Sequence, residues 1–589
     1  MSQFPTLPHR ADICVIGGGM AGLTAALAAA RHGASVVLMH DRPMLGGNAS
    51  SECRVHICGA DVHNRYKNLR ETGILEELRL DNLACNPNRN FSIWDTVLYD
   101  TVRREPGITL LLNCSCLDAR MEGGRIVSVT GWQLTTETWH TVEARVFIDC
   151  SGDGVLAPLT GAQFRMGREA RSEYSESIAP ERADTRTMGM SCLFQARRYD
   201  TPQPFTPPSW AERYDRCEDL PYGAGGHRWL VMGYWWLELG GEQDAIADTE
   251  RLRDELLAVV YGVWDHIKNR CPDCRKDAEC WAIEWIQFLP AKRESRRYVG
   301  DHVLTQNDIR AEGRFEDLVA YGGWSMDDHH PAGFRAARIH APATIFHEAP
   351  SPYGIPYRAL CSRNVENLMF AGRNASCTHA AMSSTRVMGT GCSMGQAAGT
   401  AAAMAARMSL TPRGIGAHMR ELQQALLRDD CYLPWVKQEF PELTRSARLK
   451  ASKGDPEPLR DGVNRPVGTD LHCWTWRPGD WVAYEMDRPQ RVSAATLVLD
   501  SALDANIQMS HHQPDDQLTA PPGVTPRQFL VGTRREGTWT TVAHVTGNHQ
   551  RLVRVPVDRE CDGVRVTLER TWGAAESRLF AFHVDAPPP

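Results

Sequence analysis

The chain has 589 residues, of which 42% are apolar and 23% charged, and its net charge is −7. A chain of this length exceeds a single hydrophobic core, so we expect roughly two to four domains. Phosphate binding needs clustered cations, and because the sequence has no basic tract, nucleic acid is not expected as a partner.

The apolar runs and the cysteine spacing indicate the cellular location of the protein. No run of about 18 consecutive apolar residues occurs, so no membrane span is expected. The residues before about Asp12 lack the apolar core of an export signal. The 18 cysteines are scattered without small-domain disulfide spacing, which favours free thiols. We therefore expect a cytoplasmic protein.

The first predicted element is an apolar strand at 12–16, and a glycine-rich turn follows it directly. An alanine-rich helix at about 23–31 and a second strand at 35–39 complete a strand, turn, helix, strand unit. A G-x-G-x-x-G motif in this setting is typical of a dinucleotide-binding Rossmann unit.

Each glycine of this turn has its own predicted role. Gly17 permits the tight turn, and Gly19 lets the backbone approach a pyrophosphate. Gly22 allows close packing of helix on strand, with Ala21 beside it. The helix N-terminus adds free N–H groups and positive potential, so this turn is the predicted pyrophosphate site.

The end of the second strand departs from the usual pattern. A Glu or Asp commonly binds the ribose hydroxyls there. Here His40 stands at that place, with Asp41 and Arg42 next in the chain. Either His40 or Asp41 could bind the ribose.

Three further segments favour FAD over NAD. A glycine loop follows the second strand, and the segment 146–154 is an apolar strand ending in Asp149, Ser151, Gly152 and Asp153. A strand within 364–376 precedes a small-residue helix at 390–408. An NAD domain would be complete in one stretch, whereas a site closed by a late strand and helix fits the longer FAD. These segments supply the candidate cofactor-binding residues Gly46, Gly47, Asn48, Asp149, Gly152, Asp153, Gly372, Arg373, Gly391 and Cys392.

Three motifs carry a family resemblance. They are DRPMLGGNASSE at 41–52, RESRR at 293–297 and THAAMSSTRVMG at 378–389. Over about residues 10–425 the chain resembles the FAD-dependent oxidoreductases that share the two-part fold of glutathione reductase and fumarate reductase flavoproteins. The three motifs together resemble, more narrowly, a bacterial branch of that family. The resemblance implies FAD as cofactor and this fold; it does not fix a substrate.

We therefore expect an α/β Rossmann-type FAD-binding domain in two parts, 1–165 and 353–425, around an inserted α+β substrate domain at 166–352. A helical connector and linker at 426–455 leads to an all-β sandwich at 456–589, predicted from short alternating strands between turn residues.

Inside the insert, the segments 192–196, 229–239 and 281–289 predict sheet, and a helix is expected from about Thr249 to Asn269.

The carboxyl-terminal part resembles the discoidin (coagulation factor 5/8 type C), galactose-binding-like sandwich. The matching residues are Ala451-Ser452, Asp461-Gly462, Trp481, Gly547-Asn548, Arg554 and Trp572-Gly573. Such modules often bind sugars, and Trp474 and Trp476 could stack on a pyranose. The alternative is that these tryptophans pack the sandwich onto the flavin-binding body.

His379 is the first candidate catalytic residue, with Arg386 near it in sequence. It lies between the late strand and the 390–408 helix, in a loop expected to face the flavin ring. A histidine there can act as general base while hydride passes to flavin N5. The alternative is a structural histidine.

Two other segments offer substrate contacts. His329 and His330 close the sequence YGGWSMDDHHP, where we favour substrate contact over a metal because adjacent side chains diverge. Arg293 and Arg296 could bind an anionic or polyhydroxyl substrate, or form surface salt bridges with Glu294.

A C-x2-C sequence, Cys271 to Cys274, stands near His266 and Cys280. It suggests zinc or an iron–sulfur centre, but no second C-x2-C accompanies it. No metal is expected.

The sequence thus predicts an FAD-dependent oxidoreductase that oxidises a hydroxyl-bearing carbon of a sugar or sugar-derived compound, small or oligosaccharide. A lyase-like alternative oxidises a sugar hydroxyl transiently, eliminates, and reduces back. A third reading is a carbohydrate-binding protein with an inert flavin.

Overall fold

The computed structural model describes residues 4–511 and 516–587. The chain divides into two compact units. The first comprises Met1–Gly59, Trp94–Ala417 and Gln508–Asp515, and the second Ala60–Ile93, His418–Ile507 and Asp516–Pro589.

The α-helices are α1 (Met20–Arg31), α2 (Ile74–Cys85), α3 (Phe91–Arg103), α4 (Leu156–Thr160), α5 (Arg171–Tyr174), α6 (Thr249–Asp265), α7 (Gln306–Arg310), α8 (His379–Thr385), α9 (Met388–Met408), α10 (Met419–Arg428) and α11 (Glu442–Ser446). The strands are β1 (Thr6–Ile16), β2 (Val36–Met39), β3 (Ile108–Leu111), β4 (Cys114–Glu122), β5 (Arg125–Gln133), β6 (Thr138–Asp149), β7 (Phe164–Arg165), β8 (Met190–Ser191), β9 (Phe194–Arg198), β10 (Glu238–Leu239), β11 (Trp281–Ile286), β12 (Ala291–Lys292), β13 (Arg297–Tyr298), β14 (Leu318–Gly322), β15 (Met326–His329), β16 (Thr344–His347), β17 (Tyr353–Pro356), β18 (Leu368–Phe370), β19 (Arg448–Ala451), β20 (Trp474–Trp476), β21 (Trp481–Leu499), β22 (Pro526–Arg535), β23 (Thr538–Val545), β24 (Leu552–Thr571) and β25 (Ser577–Asp585).

The main sheet of the first unit has the order β3-β2-β1-β6-β5-β4, and the late strand β18 pairs with β6. β1 lies parallel to both β2 and β6, with Ile13 opposite Val36 and Ile16 opposite Asp149. β18 joins in parallel, with Phe370 opposite Asp149. The carboxyl ends of β1, β6 and β18 therefore meet at one edge, where ligands of parallel sheets bind. The predicted Rossmann-type FAD-binding fold is confirmed.

Helix α9 crosses α1 at close range because glycines face the crossing. A Cβ on Gly395 would stand 2.1 Å from the carbonyl oxygen of Ala21, and one on Gly399 2.1 Å from that of Ala25. Such distances exclude any side chain, so the small-residue sequence of α9 is required by its packing. The helix begins at Met388, two residues before the predicted start.

Between β6 and β18 the chain forms small antiparallel sheets, β10-β8-β12, β11-β9, β13-β7, β14-β17 and β15-β16. Helix α6 packs in the same region and continues as a π-helix at His266–Arg270. The sheet predicted across 229–239 is limited to Glu238–Leu239. The remainder of that segment is irregular.

The second unit contains a seven-stranded antiparallel sheet of order β20-β25-β21-β24-β22-β23, with β19 paired to β21. The predicted all-β part at the carboxyl end is confirmed. Trp474 and Trp476 lie in its hydrophobic core with side chains 3% and 0% exposed. The suggestion that their rings stack on a sugar is therefore wrong, because no face of either ring is open.

Residues 60–93, which come from the early part of the chain, also belong to the second unit. The buried guanidinium of Arg70 pairs with Glu76, at 2.8 Å, and donates to the carbonyl oxygens of Ser501 and Ala505. This segment is therefore held by hydrogen bonds to the sheet-bearing part of the same unit.

None of the described helices is both long enough and apolar enough to cross a bilayer.

Candidate active site

The glycines of the first turn divide into packed and open positions. Gly17 has φ +97°, and a Cβ there would lie 2.5 Å from the carbonyl oxygen of Cys150. A Cβ on Gly22 would lie 1.8 Å from the carbonyl oxygen of Gly17. Both positions therefore admit only glycine, for turn geometry and helix packing.

Four other glycines border an open groove. A Cβ on Gly19 would meet nothing closer than the Cα of Gly47, at 3.9 Å, and one on Gly391 nothing closer than the Cα of Gly372, at 3.5 Å. These residues come from four separate segments, and the nearest side-chain atom that these positions meet is the Cβ of Ala21, 3.0 Å from a Cβ on Gly372 and 3.9 Å from one on Gly391. Backbone and one methyl group thus line the space, so a larger residue would fill it. This is the cradle that a dinucleotide pyrophosphate requires, so the residues fit FAD.

The residue before Gly391, at the start of α9, has a buried polar side chain. The hydroxyl of Thr390, next to Gly391, is buried without a hydrogen-bond partner. A buried hydroxyl in that state is costly unless a ligand completes its bonding. Cys392 is buried too, and its carbonyl oxygen accepts from the hydroxyl of Thr24, which ties α9 to α1.

His40 closes the glycine loop instead of facing solvent. Its Nδ1 accepts from the backbone N–H of Gly18 at 2.9 Å, and its Nε2 lies 2.9 Å from the carbonyl oxygen of Met44. Both ring nitrogens are thus occupied by backbone. Asp41 is exposed, so it is the better placed of the two ribose candidates, while Arg42 pairs with Glu52.

Asp149 is bonded by the protein on both carboxylate oxygens. Oδ1 accepts from the backbone N–H of Ser151 at 2.9 Å, and Oδ2 accepts from Leu156 at 2.8 Å and from the hydroxyl of Tyr298 at 2.6 Å. These bonds shape the turn after β6.

Asp153 is the centre of a small charged cluster beside Gly152. Its carboxylate lies 2.7 Å from Lys292, 3.0 Å from Arg373 and 2.7 Å from the hydroxyl of Ser295. Burial alone would raise the pKa of Asp153, but Arg373 and Lys292 hold it at about 2. Asn48 also contacts Lys292: its side-chain amide donates to the carbonyl oxygen of that residue at 3.4 Å. Gly46, at φ +105°, donates to the carbonyl oxygen of Gly18.

His379 is held between two carboxylates. Its Nδ1 lies 2.8 Å from Glu294 and its Nε2 3.2 Å from Asp328. Burial would lower the pKa of His379, but Glu294 and Asp328 raise it to about 10. His379 is therefore an imidazolium at neutral pH, and both of its ring nitrogens donate.

Arg297 supports this arrangement from behind. Its fully buried guanidinium pairs with Glu294 and, at 2.7 Å, with Glu169. The other oxygen of Glu169 accepts from the backbone N–H of His379 at 2.9 Å. The start of α8 is thus fixed to β13 through two buried carboxylates.

A second histidine–carboxylate group lies on the other face of β15. His329 Nδ1 is 2.6 Å from Glu238, and its Nε2 is 3.4 Å from Asp327. Arg386 lies 3.1 Å from Asp327, and Arg293 3.3 Å from Glu238. Burial would raise the pKa of Asp327, yet His329 and Arg386 hold it well below its ordinary value. Strand alternation explains the arrangement, because Asp327 and His329 share a face that Asp328 does not.

A family model of FAD dependent oxidoreductases matches residues 12–426. The chain belongs to this family. It is an FAD-dependent oxidoreductase, and the glycine-lined groove is where its residues would hold the cofactor.

Solved structures resemble the oxidoreductase only distantly. A geranylgeranyl bacteriochlorophyll reductase-like protein from Thermoplasma acidophilum is 12% identical over 72% of this chain and 86% of its own, with a TM-score of 0.31. L-proline dehydrogenase from P. horikoshii is 18% identical over 26% and 24%, with a TM-score of 0.16. A family 32 carbohydrate-binding module from Streptococcus pneumoniae EndoD is 12% identical over 24% and 98%, with a TM-score of 0.19. Similarities this distant indicate no substrate. A comparison with proteins of curated function finds no match.

Two sequence candidates of the oxidoreductase lie apart from the histidine–carboxylate groups. His330 accepts from the backbone N–H of Ala332 through Nδ1, at 3.1 Å, and so bonds within a turn. Arg296 donates to the carbonyl oxygen of Asp153 at 3.3 Å and lies over the ring of Phe164.

Sequence reasoning missed Glu169, Glu238 and Arg297, and it gave Glu294 only a surface role. The structure buries all four side chains. The RESRR motif contained a usable signal, because Glu294 and Arg297 are three residues apart and both sit in a motif of the family. Glu238 had none, since its partners Arg293 and His329 are distant in sequence.

Proposed function

We propose that this enzyme oxidises a hydroxyl-bearing carbon of an uncharged, polyhydroxylated substrate such as a sugar or oligosaccharide. FAD, when bound, supplies the hydride acceptor at N5. The observation that carries the proposal is the Glu294–His379–Asp328 arrangement at the start of α8. It follows the Gly372–Arg373 segment of the cofactor groove by a few residues.

The charges around the two histidines support a neutral substrate. Five carboxylates there face four cations, so these groups carry no surplus of positive charge that would attract an anion. The carboxylates are Glu169, Glu238, Glu294, Asp327 and Asp328, and the cations are Arg293, Arg297, Arg386 and His379.

Asp328 replaces His379 as our candidate proton acceptor. Burial opposes the charge on His379, but Glu294 and Asp328 raise its pKa to about 10, so the neutral ring that a base needs is scarce at pH 7. Asp328 is partly exposed, with 23% of its side chain accessible, and one of its oxygens has no partner among the described residues. A weak base is sufficient, because an alcohol oxygen becomes strongly acidic as hydride leaves its carbon. His379 then acts as a positioning residue that orients Asp328.

Aromatic surfaces in the same unit support a sugar. Trp235 is partly exposed, its ring meets that of His56 edge-on at 4.8 Å, and its carbonyl oxygen accepts from Arg293 at 2.9 Å. Trp285 is also partly exposed and lies under the guanidinium of Arg54 at 4.5 Å. Aromatic faces of this kind stack on the apolar faces of pyranose rings.

Anaerobic mixing tests the proposal. The purified enzyme is mixed with a panel of neutral sugars and polyols, each matched with its uronic acid, while the visible absorption of oxidised flavin is followed. We expect bleaching with at least one neutral member and weaker bleaching with its acid. Bleaching confined to the anionic members would exclude the proposal.

A second candidate, a lyase-like reaction, is favoured by one specific contact. Asp328 and His379 form an acid–base pair 3.2 Å apart. In a transient-oxidation mechanism, Asp328 would remove the proton next to the new carbonyl, and His379 would protonate the departing oxygen. Reduction of the carbonyl then restores the starting redox state. Cleaved glycoside formed over many turnovers without an electron acceptor would identify this reaction.

A further inference from the structure

A second cluster of reactive side chains lies in the core of the 166–352 region, and neither the proposed redox reaction nor the cofactor uses it. Cys217 begins a 3₁₀ turn, His227 lies just after another at Gly223–Gly225, His266 begins the π-helix that ends α6, and Cys271 follows that π-helix. All four are buried, and one potential ligand atom from each lies within 4.8 Å of the others.

Four of the six distances between these atoms match the edges of a tetrahedron around one zinc ion, and the other two are within 4.8 Å. Zinc–sulfur bonds of about 2.3 Å and zinc–nitrogen bonds of about 2.0–2.1 Å give tetrahedral edges of about 3.8 Å between sulfurs and about 3.6 Å between sulfur and nitrogen. The two sulfurs are 3.8 Å apart. Cys217 Sγ is 3.6 Å from His227 Nε2 and 3.5 Å from His266 Nε2, and Cys271 Sγ is 3.3 Å from His227 Nε2.

The groups behind these atoms are oriented as in metal sites. His266 Nδ1 lies 3.0 Å from the carbonyl oxygen of Tyr214, so Nδ1 carries the hydrogen and the lone pair of Nε2 faces the sulfurs. The backbone N–H of Cys274 donates to Cys271 Sγ at 3.2 Å, a bond that favours a thiolate. The π-helix itself widens the helix end so that His266 and Cys271 converge, with the N–H of Cys271 donating to the carbonyl oxygen of His266 at 2.7 Å.

We propose that Cys217, His227, His266 and Cys271 bind one structural Zn²⁺ ion. Four protein ligands leave no open position for substrate or water, which is typical of a structural site and not of a catalytic one. Two thiolates neutralise the ion, so the whole group is uncharged in an apolar core.

From the sequence we expected no metal, and the proposed zinc site changes that expectation. Of the cysteines first considered, only Cys271 supplies a ligand atom. Cys274 serves through its backbone N–H, and Cys280 lies outside the cluster. The other sulfur and one imidazole come from Cys217 and His227, which precede Cys271 by 54 and 44 residues. Motif spacing could not connect residues so far apart.

The ion would stabilise a segment with little regular structure. Between β9, which ends at Arg198, and β10, which begins at Glu238, the chain forms no α-helix or strand. Cys217 and His227 lie in this segment, and the other two ligands lie at the end of α6. Zinc would therefore cross-link the irregular segment to the end of α6. It would also restrain the part of the chain that leads to Glu238, the partner of His329.

Metal analysis of the full-length, flavin-loaded enzyme tests this proposal. We expect about one zinc per chain by mass spectrometry of the purified protein. Protein produced with cobalt in place of zinc should show the visible absorption of tetrahedral, thiolate-bound cobalt, at longer wavelength than the flavin bands. The fraction of bound FAD reports whether each preparation is folded.

Variants locate the ion. Cys217→Ser and His227→Gln should retain less than about a tenth of the zinc, whereas the matched Cys280→Ser should retain all of it. If these ligand variants fail to fold, the wild-type zinc content and cobalt spectrum still decide the question. Wild-type protein without metal, with Cys217 and Cys271 either alkylated as free thiols or joined as a disulfide, would overturn the proposal. So would full zinc content in folded Cys217→Ser.

Discussion

The enzyme buries two kinds of histidine group, and their partners give the same side chain opposite properties. His379 has a carboxylate at each ring nitrogen, so both nitrogens carry hydrogen and the ring is a cation. His266 has a carbonyl oxygen at Nδ1, so that nitrogen carries hydrogen, and the sulfur of Cys217 at Nε2. The first arrangement suits charge and proton placement, and the second suits a metal ion.

The difference shows that the partner, and not the histidine, determines the chemistry. An imidazolium cannot bind zinc, and a zinc-bound imidazole cannot hold two carboxylates. Each role therefore excludes the other, and variants of one group should leave the other group's measurements unchanged.

The largest expected effect is on the rate of flavin reduction, and it distinguishes the His379 group from the His266 group. His379→Gln should lower the rate of flavin reduction by substrate by about 10²-fold, because Asp328 is no longer held in position. FAD and zinc content should stay at wild-type values. His266→Gln should lose zinc. Stopped-flow reduction and metal analysis on both variants give the comparison, with His302→Gln, whose ring pairs with Asp308 at 3.1 Å, as a matched control. A normal reduction rate in His379→Gln would remove this residue from the reaction.

Arg297 tests how strongly the carboxylate group depends on matched charge. Arg297→Met leaves Glu294 and Glu169 with one cation fewer in a buried setting, so we expect a loss of about 3–5 kcal/mol in unfolding free energy. Chemical denaturation measures it. Arg296→Met, which removes one hydrogen bond to a carbonyl oxygen and a ring contact, is the control and should cost under about 1.5 kcal/mol. Equal costs would mean that the buried carboxylates are not ionised.

The charge on His379 should also appear in the pH dependence of stability. Burial lowers the pKa of His379, but Glu294 and Asp328 outweigh this effect and raise the pKa from 6.5 to about 10 in the folded protein. The stabilisation is therefore complete below about pH 6.5 and is lost as the pH rises towards 10. We expect the stability difference between wild type and His379→Gln to shrink by a few kcal/mol across this window. A difference that is constant from pH 6 to about 10 would contradict the imidazolium assignment.

The parts of the site that the sequence could predict are local in the chain. The glycine turn, His40 and the Gly372–Arg373 segment each follow a strand, and a strand end fixes where such residues lie. The functions of His40 and Asp149 were not predictable, because Gly18, Met44, Leu156 and Tyr298 satisfy them through contacts made only on folding. The same applies to His379: the motif predicted a loop, whereas His379 begins helix α8, and its charge depends on Glu294 and Asp328, which are 85 and 51 residues away.

The smallest expected effect concerns His330, the neighbour of His329. Its Nδ1 accepts one backbone hydrogen bond within a turn, from Ala332. His330→Ala should therefore cost about 0.5–1.5 kcal/mol of stability and change the rate of flavin reduction less than about threefold. His330→Asn can accept from the same N–H and should restore most of the stability. Denaturation and stopped-flow reduction check both values. If His330→Ala is stable but reduces its flavin slowly, and His330→Asn does not recover the rate, His330 contacts substrate as the sequence suggested.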